Sequence, residues 1–341
     1  MRWRARAERG RTILCVCWVA LVGQAAAGAP PAGYYNSVDA TSAETLRRTL
    51  HEIIDDHTRV RYTSDTQTDT WDVLKRADED PGDGNRVLDV YRNASYVKAE
   101  GGNANYNREH SWPKSHGFPD DGPGNYPFTD CHHLFLSDSG YNSSRSNKPY
   151  GLCAAECSEK PTEANGGQGG GAGGAHPGTS NWTRTGTWET WAGRRGDVAR
   201  ALFYMDVRYA GGTHGVTGHA EPDLVLTDDL ALVQAGGDNR PLAHMGRLST
   251  LIEWHKADPV DDREGRHNEA VFEVQGNRNP FVDNPAWAAC VFEGQCGPAQ
   301  PPVEPGTQEE LLRAVLERIE ALERELAELK AQVQALGGGG P

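Results

Sequence analysis

Residues 105–115 (NYNREHSWPKS), 129–134 (TDCHHL) and 141–149 (YNSSRSNKP) crowd an unusual set of polar groups into a short span. Arg108-Glu109-His110 closes a stretch that reads as extended, and Cys131 to Phe135 reads as a second extended segment. Tyr141 to Asn147 reads as a helical turn stopped by Pro149, because proline disfavours helix in the residue before it. Extended and helical segments together predict an α+β domain.

The chemistry of these groups is specific. From Glu109 to Asn147, about forty residues supply a carboxylate, an imidazole, a side-chain amide and a guanidinium. Hydrolysis of a phosphodiester needs an activated water and neutralisation of charge on the transition state and leaving oxygen, and one divalent ion serves the last two needs. Mg²⁺ takes oxygen ligands and retains several waters, so one carboxylate and one amide oxygen suffice. Glu109 and Asn142 are the candidate ligands, with Mn²⁺ or Ca²⁺ as substitutes for Mg²⁺. Imidazole titrates near neutral pH, which makes His110 the candidate general base. Arg145, three residues beyond Asn142, shares its helix face and either contacts the scissile phosphate or pairs with a carboxylate. His132, Asn147 and Lys114 are candidates for a supporting or substrate-binding role, and His133 for a structural one. Adjacent residues of a regular strand point to opposite sides. Glu109 and His110 can therefore serve one site only if the backbone twists or if metal and water lie either side of the strand edge. Trp71 and Trp112 are expected in the core, and Asn277 and Arg278 as loop-fixing residues.

These blocks, with Asp69–Lys75 (DTWDVLK), Arg195–Arg200 (RGDVAR), Asp258–Asp261 (DPVD) and Gln275–Val282 (QGNRNPFV), resemble the endonuclease I family of secreted nucleases over most of residues 30–290. The resemblance implies a ββα-metal (His-metal finger) fold with mostly helical surroundings. It implies His110 as general base and Glu109 and Asn142 as metal ligands. The implied reaction is sequence-nonspecific cleavage of DNA, with RNA as a further substrate, leaving 5′-phosphates. Two rivals are an exported scaffold protein with an inactive nuclease domain and a small-molecule phosphodiesterase. The intact Glu109, His110 and Asn142 argue against the first; an enclosed pocket would favour the second.

The flanks set the context. Met1 to Arg11 holds five arginines and one glutamate, Ile13 to Val22 is almost wholly apolar, and Ala25-Ala26-Ala27 offers a cleavage site. This is the pattern of a secretory signal over residues 1–27. Its apolar run is half the length of a membrane span, and the expected destination is the periplasm or the extracellular space. Losing that segment takes the formal charge from −14 to −18, which argues against a protein that coats nucleic acid but not against an enzyme gripping a few phosphates locally. Of seven cysteines, Cys15 and Cys17 fall in the signal. Cys153/Cys157 and Cys290/Cys296 are the expected bridges, and Cys131 is left as a buried thiol or a partner for reshuffling.

The expected nuclease domain spans 28–297, with a flexible glycine-rich surface loop at 164–178. A proline-rich linker (298–307), a coiled coil (308–336) and a free tail (337–341) follow. Leu312, Ile319, Leu326 and Val333 fall at heptad position a, and Val315, Leu322, Leu329 and Leu336 at d. That stripe predicts a homo-oligomer, dimer or trimer, through residues 312–336. Within the domain, helices are expected at Ser42–Asp55 (capped by Thr41 and Glu44), Asp69–Lys75, Gly196–Tyr209 (amphipathic), Leu248–Lys256 and Arg263–Gln275 (C-capped by Gly276), and a strand at Val87–Tyr91.

Overall fold

The computed structural model describes residues 28–297, so the expected signal, linker, coiled coil and tail lie outside the described residues. The described chain mixes helices with short strands. It begins with α1 (Ala43–Ile54) and α2 (Thr70–Ala77), then a three-stranded antiparallel sheet of β1 (Glu79–Asp80), β2 (Asp83–Leu88) and β3 (Ser95–Val97). The central unit is β4 (Tyr106–His110), a short helix α3 (Tyr126–Thr129), β5 (Leu134–Asp138) and α4 (Ser139–Arg145). A second antiparallel sheet follows, formed by β6 (Ser158–Lys160), β7 (Asn181–Arg184) and β8 (Thr187–Glu189). After α5 (Arg195–Arg208) come the parallel pair β9 (Asp223–Leu226) and β10 (Leu242–Met245). The described part ends in α6 (Leu248–Ala257), α7 (Asp262–Gln275), α8 (Pro280–Asp283) and α9 (Trp287–Glu293).

Two hydrophobic clusters hold these elements. The larger joins α1 (Leu46, Leu50, Ile54) to α5 (Leu202, Phe203) and α6 (Leu251, Trp254) and includes Trp112 and Phe135. The smaller joins α2 (Trp71, Val73, Leu74), β4 (Tyr106), β5 (Leu134, Leu136) and α7 (Val271). Each fully buried large apolar side chain contributes about 1.5–3 kcal/mol. Consecutive residues of β5 thus feed different clusters, as strand alternation requires. The β4–β5 pair is consequently clamped on both faces, and a site built on it is rigid.

Several boundaries differ from expectation, each for a local reason. The first helix is capped by Ser42, not Thr41: Ser42 Oγ accepts from Thr45 N at 3.1 Å and Thr45 Oγ1 from Ser42 N at 3.1 Å. The VLDVY strand stops at Leu88, because the Asp89 carboxylate accepts the Arg92 N–H and turns the chain. Residues 131–133 form a turn and β5 starts only at Leu134, since Asp130 Oδ1 accepts from His132 N at 3.0 Å. The helix of the central unit starts at Ser139, earlier than expected. Asp138 caps it, accepting from Gly140 N at 2.8 Å and Tyr141 N at 3.1 Å.

The expected amphipathic helix around 196–209 is not amphipathic. Every residue of α5 from Gly196 to Arg208 is buried. Its charged positions face ionic partners: Arg200 pairs with Glu264 at 2.5 Å and Arg208 with Glu221 at 2.8 Å. The glycine-rich loop is mostly exposed and carries hydrogen bonds. Glu159 accepts from Ala172 N at 2.8 Å and Gly174 N at 2.6 Å, and Asn93 Nδ2 donates to the Glu163 and Gln168 carbonyls at 3.1 and 3.2 Å. The bridges Cys153–Cys157 and Cys290–Cys296 form as expected and Cys131 is a buried free thiol. No described helix is long and apolar enough to cross a membrane.

Candidate active site

Antiparallel register sets Glu109 opposite Phe135 and His110 opposite Leu134 at the end of β4. Asn107 and Glu109 share one strand face and Arg108 and His110 the other. The contacts follow this split. On the first face Asn142 of α4 reaches across the strand, its Nδ2 donating to Asn107 Oδ1 at 2.6 Å and to the Arg108 carbonyl at 3.2 Å. On the second face Tyr62 covers both residues: the Arg108 guanidinium lies 3.4 Å from its ring centroid and the His110 ring 5.9 Å. Glu109 and His110 therefore lie on opposite faces at the end of β4.

Glu109 is 2% exposed. Its Oε1 accepts from Tyr91 Oη at 2.8 Å and sits 2.9 Å from Arg145 Nη1. Burial pushes its carboxyl up to about 7, against the lowering pull of Arg145 and of the Tyr91 hydroxyl. No described group donates to Oε2. In Asn142 the protein uses the amide nitrogen, and no described group donates to Oδ1. One carboxylate oxygen and one amide oxygen are thus left open beside the β4 edge. That is the donor set a hard divalent ion takes when it keeps most of its waters. Among the described residues no cluster of three or more His, Cys, Asp or Glu is placed to hold a metal.

His110 Nε2 lies 2.9 Å from the Phe128 carbonyl oxygen. A carbonyl only accepts, so Nε2 carries the proton and Nδ1 holds a bare lone pair. Burial, and then the neighbouring His133, hold the imidazole well below its ordinary pKa, so the ring is neutral. Lys114 is exposed, its Nζ 5.1 Å from the Phe128 ring centroid.

Arg145 is fully buried and faces inward. It donates to the His110 carbonyl at 2.8 Å and the Ser111 carbonyl at 2.5 Å, besides pairing with Glu109. Of the two sequence readings, the carboxylate pair is the one present, and contact with a phosphate is not open to it. The two histidines of the CHH run exchange their expected places. His132 Nε2 donates to the Asn277 carbonyl at 2.9 Å, away from the site. The His133 ring instead lies 5.4 Å from that of His110, with Nε2 2.7 Å from the Pro127 carbonyl. The turn at 131–133 causes the exchange. Asn147 is exposed beyond α4, and its carbonyl accepts from His116 Nε2 at 3.3 Å. Trp112 and Trp71 are buried as expected, though Trp71 also stacks on Arg108 at 4.1 Å.

Sequence reasoning missed three partners. Tyr91 holds Glu109 and is itself 2.7 Å from Tyr150 Oη. The Phe128 carbonyl fixes the His110 tautomer. Asn107 anchors Asn142, and of the three only it was legible, as the residue two before Glu109 on one strand face.

A model of the family described as Endonuclease I matches residues 42–286. The chain is 39% identical over 274 residues to the extracellular ribonuclease of Bacillus subtilis (strain 168), covering 79% of this chain and 82% of that protein. It is 38% identical over 258 residues to the extracellular ribonuclease of Bacillus amyloliquefaciens, covering 75% and 76%. The chain, with its β4–β5–α4 unit carrying Glu109, His110 and Asn142, belongs to the Endonuclease I family.

Proposed function

We propose that the chain is an exported endonuclease that hydrolyses phosphodiester bonds of RNA and DNA without sequence specificity and leaves 5′-phosphates. His110 is its general base. Glu109 and Asn142 are the protein ligands of one Mg²⁺-type ion, and β4, β5 and α4 form its ββα-metal finger. The observation that carries this reading is the hydrogen bond from His110 Nε2 to the Phe128 carbonyl. It turns Nδ1 into an acceptor poised for a water proton, and burial keeps the ring neutral until that proton arrives.

A bound divalent ion would supply positive charge to the transition state and the leaving oxygen. The chain's own residues prepare the rest. Arg145 and Tyr91 grip one oxygen of Glu109 and so aim the other. Asn107 fixes the Asn142 amide with its oxygen outward. Arg145 is therefore a positioning residue, and Lys114 and Asn147 lie on the substrate side. RNA stands beside DNA because both relatives bear the name ribonuclease. Export is supported by that same name, by the Arg-rich and apolar N-terminal segment, and by two disulfides.

The test is cleavage of plasmid DNA and of a long RNA by the mature protein with Mg²⁺, with EDTA, and in His110→Ala. Cleavage should vanish in EDTA and fall by roughly 10²–10⁴ in His110→Ala. An undiminished His110→Ala rate would remove the base, and intact polymers with every divalent ion would overturn the function.

A further inference from the structure

Six lysines occur among the described residues, and they divide by location. Lys75, Lys98 and Lys256 each pair with a carboxylate: Lys75 with Asp72 at 3.3 Å, Lys98 with Glu79 at 2.5 Å, Lys256 with Glu293 at 2.8 Å. Lys114, Lys148 and Lys160 have no carboxylate partner among the described residues, and each lies against Phe128 or a residue of α4.

Each of the three is placed by an element of the site. Lys114 follows β4 and stands over Phe128, whose carbonyl orients His110. Lys148 follows α4, its Nζ donating to the Ser144 carbonyl at 2.6 Å and to Thr183 Oγ1 at 2.8 Å. Two of its three N–H bonds are used, and one remains. Lys160 ends β6 with its Nζ 5.9 Å from the ring of Tyr141, the residue before Asn142. Burial first, and then Lys160 and Arg145, push the Lys148 ammonium toward deprotonation. Lys114 is thus on the His110 side of the strand edge, and the other two are on the Asn142 side.

We propose that Lys160 and Lys148 on one side and Lys114 on the other form a phosphate track that holds a nucleic-acid backbone across the site. The track contacts the phosphates flanking the scissile one. It rests on the nuclease reading only for the identity of the polymer. Ammonium groups read no base sequence, so the contact is nonspecific and salt-dependent. The strong negative charge elsewhere confines binding to this strip and favours release of cut product.

The experiment is equilibrium binding of a fluorescent thirty-nucleotide single strand to the mature protein in EDTA, titrated with NaCl. Each lost phosphate contact should reduce the slope of log affinity against log salt by about 0.7. Lys160→Ala should lower the slope by about that amount and weaken binding roughly three- to tenfold at low salt, and Lys114→Ala should do likewise. Lys256→Ala makes the same change in net charge and should leave the slope unaltered. In Mg²⁺ the loss should appear in KM and grow with substrate length. An unchanged slope in Lys160→Ala, or an equal change in Lys256→Ala, overturns the track. Binding with the expected slopes but no cleavage in any metal would leave the track standing and sink the nuclease reading.

Discussion

Two buried polar clusters in this molecule use the same residue types to opposite ends. Around Asp130, every carboxylate lone pair is engaged. Oδ1 accepts from His132 N and Gln275 Nε2, both at 3.0 Å, and Oδ2 from Tyr204 Oη at 2.8 Å and Tyr209 Oη at 2.9 Å. Burial alone would raise this carboxyl, but His57, His132, His133 and Gln275 outweigh it and hold it well below the ordinary carboxylate range. Around Glu109, burial wins, and one oxygen of each of Glu109 and Asn142 is left without a donor among the described residues. A buried carboxylate with every lone pair engaged is structural; one held firmly with an oxygen open is what a ligand completes.

The contrast breaks most visibly at Asp130. Asp130→Ala strands the Tyr209 hydroxyl in a dry interior and leaves Tyr204 Oη and Gln275 Nε2 with Asn277 alone. Losing one partner of such a network costs about 4 kcal/mol. Urea unfolding should register that loss, while whatever protein remains folded keeps its Mg²⁺ dependence. A stable variant with altered metal dependence would place Asp130 in the active site instead.

Arg145 joins the two behaviours, since it is buried in the fold and paired with Glu109. Arg145→Met leaves Glu109 buried beside an apolar group and frees two carbonyls, for a loss of about 3 kcal/mol. Arg145→Lys keeps the charge but cannot span Glu109 and two carbonyls at once, so it should fall between. Denaturant midpoints of the three proteins, ordered wild type, Lys, Met, would bear this out; equal midpoints would show the pair contributes nothing.

The finished cluster also has a pH signature. Burial lowers His57 to about 3 and His132 to about 4. Between those values and 6.5 the unfolded chain binds protons that the folded chain refuses. Stability therefore falls as the pH drops through that window, by about 1.4 kcal/mol per pH unit for each such histidine. Asp89 and Glu264, raised to about 7 by burial, act in the other direction, so the test compares slopes. His57→Gln should flatten the fall in stability between pH 6 and pH 4 by one histidine's share. An unaltered slope would mean that His57 is open to solvent.

The two clusters were not equally legible in the sequence. Glu109, His110 and Asn142 stood out because their residue types, in that order, have one chemistry in common. Residues that position them did not. Any residue offers a carbonyl, so nothing in Phe128 as a letter announces that it orients His110. Tyr91 lies in a turn set by the Asp89 side chain, with no periodicity tying it to Glu109 eighteen residues on. In α5 the charged letters suggested a solvated face because a buried ion pair and an exposed charge look alike until the partner, Glu264 or Glu221, is placed. His132 and His133 exchanged places because a side chain of Asp130 turned the chain where strand alternation was assumed.

The smallest effect is expected where the unfinished network is merely loosened. Tyr91→Phe removes one donor from Glu109 Oε1 and keeps the ring packed against Trp188 at 5.0 Å. Arg145 still holds the same oxygen, so stability should change by only about 1 kcal/mol. The aim of the open oxygen is what suffers. Loss of a group that orients a metal ligand costs on the order of tenfold in affinity at the low end. The Mg²⁺ concentration giving half-maximal cleavage should rise by about that factor, with the rate at saturating Mg²⁺ little altered. A lowered rate at saturation with unchanged Mg²⁺ dependence would mean that Tyr91 acts on the reacting atoms rather than through Glu109. The boundary between the two clusters would then run on the far side of Tyr91, next to Tyr150.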